Sequence, residues 1–279
     1  MTRAPDGRAR RGLVETSAGA VEYSELGSGP VILALHPTPG SCLWYADVAP
    51  LLAGERHVLA MTTMGYGRSD RPSPPYTTVG EYAGATVAFL DAMGVERAAV
   101  VGSHTGSVLA VELAAGWPGR VEALVLGEPF NWNTPARREV LTGQHRYVPP
   151  VPDGSHLLEL WRRQGPGRPG VDLGEFARRF ADFLVVNAPE PAYGELGWEG
   201  AGPYAITRYE MWERAAAVEA PTLVIHGSRS DLGRSHERFL ETIARSRGFR
   251  PPSQGRFSPR EAPALWADEV SGFLRDPGV

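Results

Sequence analysis

The pentapeptide Gly102-Ser103-His104-Thr105-Gly106 places one imidazole between two glycines. Glycines two residues to either side of a central side chain have the spacing of a nucleophile elbow. That sharp strand-to-helix turn holds its central residue exposed and strained. The run before it, Ala98-Ala99-Val100-Val101, reads as a short buried strand. The run after it (Val108, Leu109, Ala110, Val111, Leu113, Ala114) reads as a helix apolar on nearly all faces, ending at Trp117-Pro118-Gly119. The seat of the nucleophile holds His104 rather than Ser, Cys or Asp. An imidazole at a helix N-terminus is expected to have its pKa pushed down, leaving it neutral and able to accept a proton.

The chain around this turn has 279 residues and 42% apolar content, enough for one α/β domain with an insertion. A net charge of -4 argues against nucleic-acid binding. All 28 basic residues are arginine, which excludes Schiff-base chemistry on a lysine. The single Cys42 excludes an internal disulfide and, with no apolar leader behind Met1, fits a cytoplasmic protein. No stretch approaches the roughly 18 apolar residues of a membrane span.

Strand and helix patterns alternate along most of the chain. Residues 1–12 read as a disordered tail and 13–26 as a hairpin. Strands are expected at 31–35, 57–61, 98–101, 121–126 and 221–227, and helices at 43–53, 78–94, 235–246 and 264–274. Ser258-Pro259-Arg260-Glu261 has the form of a capping box for the last helix. Between 130 and 215 prolines, glycines and tryptophans interrupt short helical pieces, which reads as an inserted lid. The core is therefore 13–129 with 216–279. Alternation of this kind gives an α/β fold, a mostly parallel sheet covered on both faces, with chemistry at the carboxyl ends of the strands.

This order of elements resembles the α/β-hydrolase fold over about residues 20–275. The markers are His36-Pro37-Thr38-Pro39-Gly40, Gly65-Tyr66-Gly67-Arg68-Ser69-Asp70, the elbow, Pro221 to Gly227, and Gly255-Arg256-Phe257-Ser258-Pro259. The resemblance implies a nucleophile at 104, an acid at Asp231 and a base at 256. His104 and Arg256 depart from that pattern, and a guanidinium cannot act as a base; Asp231 and Arg256 would more simply form an ion pair inside the pocket. Ser103 is expected to point away from the seat, and Glu128 is an alternative acid. The resemblance also implies an oxyanion hole from the N–H groups of Thr105 and Thr38.

Donors aimed at an oxyanion stabilise an enolate as well as a tetrahedral intermediate. The chain is similar in length, missing triad and lid to atypical hydrolase-like epimerases of bottromycin-type modified peptides. That likeness implies proton removal and return beside a carbonyl of an aspartyl residue. The base would be His104 or a carboxylate of the substrate itself. Two other readings stand beside it: a divergent hydrolase or lyase with a rearranged triad, and a non-catalytic binding protein for a hydrophobic metabolite. The partner in each case is a small-molecule or modified-peptide substrate, with no cofactor or metal implied. Trp44, Phe130, Trp132, Trp161, Trp198, Trp212 and Phe257 are expected to line an aromatic pocket, with Arg256 or Arg68 gripping a substrate carboxylate.

Overall fold

The computed structural model describes residues 9–165, 172–253 and 255–276. Eight strands form one sheet: β1 (Arg10–Thr16), β2 (Gly19–Gly27), β3 (Val31–Leu35), β4 (His57–Met61), β5 (Ala98–Ser103), β6 (Val121–Gly127), β7 (Thr222–Ile225) and β8 (Ser246–Phe249). Their spatial order is β1-β2-β4-β3-β5-β6-β7-β8. The β1–β2 hairpin is antiparallel and β2 runs antiparallel to β4; all other neighbours are parallel. Central strands β3, β5, β6 and β7 are apolar and almost wholly buried, as a sheet covered on both faces requires.

Each face has its own core. Helices Val79–Ala92 and Thr105–Gly116 cover one, with Phe89, Leu90 and Leu113 fully buried. Helix Pro263–Arg275 covers the other with Trp266, Val270 and Phe273. The first of these helices starts at a complete capping box: Thr78 Oγ1 accepts from the Glu81 N–H, and Glu81 accepts from the Thr78 N–H.

Several boundaries differ from the sequence-based expectation. The hairpin begins at Arg10 rather than 13, so only 1–8 of the expected tail lie outside the described residues. Residues 43–53 form a 3-10 turn (Cys42–Tyr45) and a short helix (Ala49–Leu52), the second opening at Pro50, which has no N–H to continue the first. The helix expected at 235–246 stops at Thr242, leaving room for β8, which the sequence reading missed. Only four residues long and only partly buried, that edge strand carries little apolar pattern. The 258–261 capping box does not form. The last helix begins at Pro263 without a side-chain cap, and Ser258 instead closes a turn with Arg260 and Glu261.

Between Gly127 and Thr222 the described residues contain no strand. They form short helices, among them Pro135–Gln144, Ser155–Arg163, Leu173–Val186, Ala201–Ile206 and Met211–Ala216. Part of this segment lies over the carboxyl ends of the parallel strands: Gln144, Arg163, Asp182 and Pro203 share a cavity wall with the elbow.

Candidate active site

Strand β5 turns into its helix through His104, whose φ of 53° and ψ of -113° lie where a side chain is strained. The turn closes only because Gly102 and Gly106 lack side chains. A Cβ on Gly102 would collide with the Gly106 carbonyl, and one on Gly106 with the Leu35 carbonyl. The elbow therefore exists, and it presents an imidazole to a cavity of about 770 Å³. The ring packs on Phe130 and Trp132, at centroid separations of 4.7 and 5.3 Å.

The other two positions implied by the family pattern meet His104 here. Arg256 Nη1 lies 3.1 Å from His104 Nε2, while Nε and Nη2 reach the two Asp231 oxygens at 3.0 and 3.1 Å. A guanidinium has only donors, so His104 Nε2 is the acceptor and the ring proton sits on Nδ1. Burial, followed by the charge of Arg256, lowers the His104 pKa to about 3. The imidazole is thus neutral, but the cause is desolvation and a neighbouring cation. Its one lone pair is occupied, so the expectation that His104 readily accepts a proton is corrected: it is an N–H donor. Of the two expectations for Arg256, the ion pair with Asp231 is the one found: its planar fork is taken by that carboxylate rather than by a substrate's. Arg68 is not among the cavity-lining residues.

The two amides expected in the oxyanion hole are no longer equivalent. The Thr38 N–H donates to Thr105 Oγ1 at 2.5 Å. That amide is therefore already engaged by a side chain of the protein. The Thr105 N–H opens the helix and has no acceptor within it. Both threonines line the cavity. Ser103, expected to point away, is 3% exposed and touches the same wall. Among the described residues no imidazole is hydrogen-bonded to it.

Glu128 holds the loops together. Its Oε1 accepts the N–H groups of Gly227 (2.7 Å) and Phe257 (2.6 Å), and its Oε2 accepts from Ser230 Oγ. It ties the end of β6 to both loops that carry the Asp231–Arg256 pair. Burial raises its pKa against those hydrogen bonds. Glu128→Ala is expected to cost about 2–4 kcal/mol by stranding two buried N–H groups. Glu128→Gln keeps an acceptor for both and should lose much less. Urea denaturation of the two variants checks this.

Of the aromatic residues predicted for the pocket, Trp44 and Trp132 line it. Phe130 lies behind His104 and backs the Trp132 ring at 4.0 Å. The rest are packing residues. Trp161 is stacked edge-on with Phe176 and Phe180 inside the lid. Trp198 packs on Tyr193 beneath Arg71. Trp212 packs on Phe239 beneath Arg238, and Phe257 belongs to the core under the sheet. A tryptophan near a pocket in sequence does not reveal which of two buried faces it turns toward.

The sequence reading missed the polar wall. Arg178, Arg179 and Arg260 line it, and the last two lie over the faces of Trp44 at 5.7 and 5.1 Å. It also missed His145 and Glu199. The His145 Nδ1 lies 3.2 Å from Glu199 Oε1 across 54 residues of chain, a pairing with no local motif to betray it.

A family model described as alpha/beta hydrolase fold matches residues 30–149. A 2-hydroxymuconate semialdehyde hydrolase from a Pseudomonas species is 35% identical over 262 residues, covering 90% of this chain and 88% of that one. The chain belongs to the alpha/beta hydrolase family. A haloalkane dehalogenase 2 of Mycobacterium bovis is 30% identical over 118 residues, and the match spans 42% of this chain and 41% of that relative's length. The crystal structure of an E-2-(acetamidomethylene)succinate hydrolase superposes with a TM-score of 0.77 at 16% identity, covering 96% of this chain and 100% of the other, which shows the shared fold. These relatives carry the names of hydrolases and a dehalogenase. Within that family this chain has an elbow with no attacking oxygen or sulfur at its tip and a cation on the far side of the imidazole.

Among the described residues no helix is long and apolar enough to cross a membrane.

Proposed function

We propose that this chain is a non-hydrolytic epimerase of the alpha/beta hydrolase family, removing and returning an α-proton beside a carbonyl. The proposed substrate is an aspartyl residue in a bottromycin-type modified peptide. The observation that carries the reading is the His104–Arg256 hydrogen bond at the tip of the elbow. Hydrolysis through a covalent intermediate needs a nucleophile in reach of a base. Here the seat holds an imidazole, and the base's place holds a permanent cation that donates to it.

What survives is the means to stabilise negative charge on a carbonyl oxygen. The Thr105 N–H, the Thr105 hydroxyl backed by Thr38, and the Nδ1–H of His104 are donors suited to an enolate oxygen. A neutral imidazole serves as such a donor without a charge that water or a carboxylate would quench. Arg256 and Asp231 hold that imidazole in one tautomer. Trp44 and Trp132 contact the apolar part of the peptide, and the arginines beside Trp44 attract its carboxylates.

The reading is tested with aspartyl peptides of this type in D2O. The expected result is deuterium uptake at the aspartyl α-carbon and loss of optical purity at catalytic protein levels, with no cleavage product. A divergent hydrolase, the reading favoured by the names of the relatives, would release cleaved product and label with a fluorophosphonate. Tight binding without exchange or cleavage would indicate the non-catalytic alternative.

A further inference from the structure

His104 is a donor, so of the two bases named above the substrate's own carboxylate remains, and the lid adds a second imidazole. His145 closes the helix Pro135–Gln144, its N–H bonded to the Leu141 carbonyl at 2.9 Å. His145 lines the same cavity as His104. Its side chain is 19% exposed.

The Nδ1 edge of this ring faces Glu199, a carboxylate with no solvent exposure. Arg163 Nη2 approaches the other oxygen of Glu199 at 2.8 Å, and Gln164 Nε2 lies 3.3 Å from the first. Three lid segments thus converge to hold the Glu199 carboxyl away from water, against one guanidinium. A carboxylate oxygen accepts, so the Nδ1 edge carries the hydrogen, and in the neutral ring the lone pair is on Nε2. The Nδ1 edge is turned to Glu199, and among the described residues Nε2 has no hydrogen-bond partner. An imidazole fixed by a carboxylate at one nitrogen and bare at the other has the arrangement of a general base.

The two histidines therefore differ in partner. The partner of His104 is a guanidinium, which leaves it an N–H. The partner of His145 is a carboxyl group, which in the neutral ring leaves it a lone pair. We infer that His145, oriented by Glu199, is the base that removes the substrate α-proton. This rests on the epimerase reading.

The step balances within the cavity. The α-proton passes to His145 Nε2, and the electron pair of the broken C–H bond moves into the carbonyl, forming the enolate held by Thr105 and His104. A water on the opposite face gives its proton to the α-carbon as the enolate collapses. The hydroxide left behind takes the proton from the His145 imidazolium, restoring the starting state with the stereocentre inverted. Glu199 is a positioning residue: it touches His145 and not the substrate.

The test compares α-deuterium exchange in wild-type protein, His145→Gln and His145→Ala, with thermal unfolding to confirm that each variant folds. The expected result is a fall in kcat of about a hundredfold or more for both variants. KM should stay within about threefold, and free imidazole should restore part of the activity of His145→Ala. Wild-type exchange in His145→Gln would overturn this assignment while leaving the epimerase reading in place. Loss in a folded His145→Ala that imidazole does not rescue would also overturn it, because it assigns the residue a structural role. No exchange by the wild-type protein would remove the epimerase reading and this inference with it.

Discussion

The double variant His104→Ser/Arg256→His is expected to gain esterase activity that neither single variant shows. The geometry makes both changes necessary. His104→Ser alone supplies a hydroxyl, but its neighbour remains Arg256, which cannot accept a proton at any working pH. Arg256→His alone supplies an imidazole beside Asp231 with no attacking oxygen. Together they place a hydroxyl on the strained elbow, an imidazole next to it, and Asp231 behind that imidazole, where it now holds the guanidinium fork. The Thr105 donors are already present for the tetrahedral oxyanion.

Proton transfer by a positioned base is worth on the order of 10²–10⁴ in rate, so the double variant should exceed the parent by about a hundredfold or more on p-nitrophenyl acetate. It should also become labelled by a fluorophosphonate at position 104, with a burst of nitrophenol that reports the acyl-enzyme. Activity in His104→Ser equal to that of the double variant would show that another group, with His145 the first candidate, serves as its base. An inert double variant that still folds would show that the backbone of the 255–257 turn does not bring an imidazole within reach of position 104.

A second large effect concerns acid. His36 and His226 are 1% and 0% exposed, and burial lowers the pKa of each to about 4. Both are locked neutral by their partners. His36 Nδ1–H donates to the Pro37 carbonyl at 2.8 Å, and its Nε2 accepts the Thr63 N–H at 2.9 Å. His226 Nε2–H donates to the Pro129 carbonyl at 2.9 Å, so its Nδ1 accepts from His236 Nδ1 at 2.9 Å. A group whose folded pKa lies below its unfolded value binds protons more readily in the unfolded chain. The stability from each histidine is therefore complete above about pH 6.5 and is lost as pH falls toward 4.

That range corresponds to about 3 kcal/mol for each residue, against a total of roughly 5–15 kcal/mol for a domain. The fold is expected to lose most of its stability between pH 6.5 and 4, seen as a steep fall in the urea midpoint. A midpoint that stays level from pH 7 to 4.5 would contradict the neutral locking of both rings. The same window leaves the Asp231–Arg256 pair intact, since Arg256 holds the Asp231 carboxyl below its usual range.

The α/β sheet, the elbow and the substitution of both its chemical partners were legible in the residues alone. Apolar runs with strand length mark β3, β5, β6 and β7, and the Gly102–Gly106 spacing marks a turn that only small residues allow. A missing nucleophile is also a local fact: it depends on which residue stands at 104 and on nothing far away.

The protonation state and direction of each functional group depended on contacts across the fold. His104 became a donor because Arg256, 152 residues later, fills its lone pair. Thr38 turned its N–H into Thr105, and five of the seven predicted pocket aromatics packed behind or away from the cavity wall. The His145–Glu199 pair assembled from three lid segments with no shared spacing. Sequence pattern reports which residues are buried, since burial follows hydrophobicity along one element. It does not report which partner a buried polar atom meets, because that partner comes from another element, and for an imidazole the partner decides whether it gives or takes a proton.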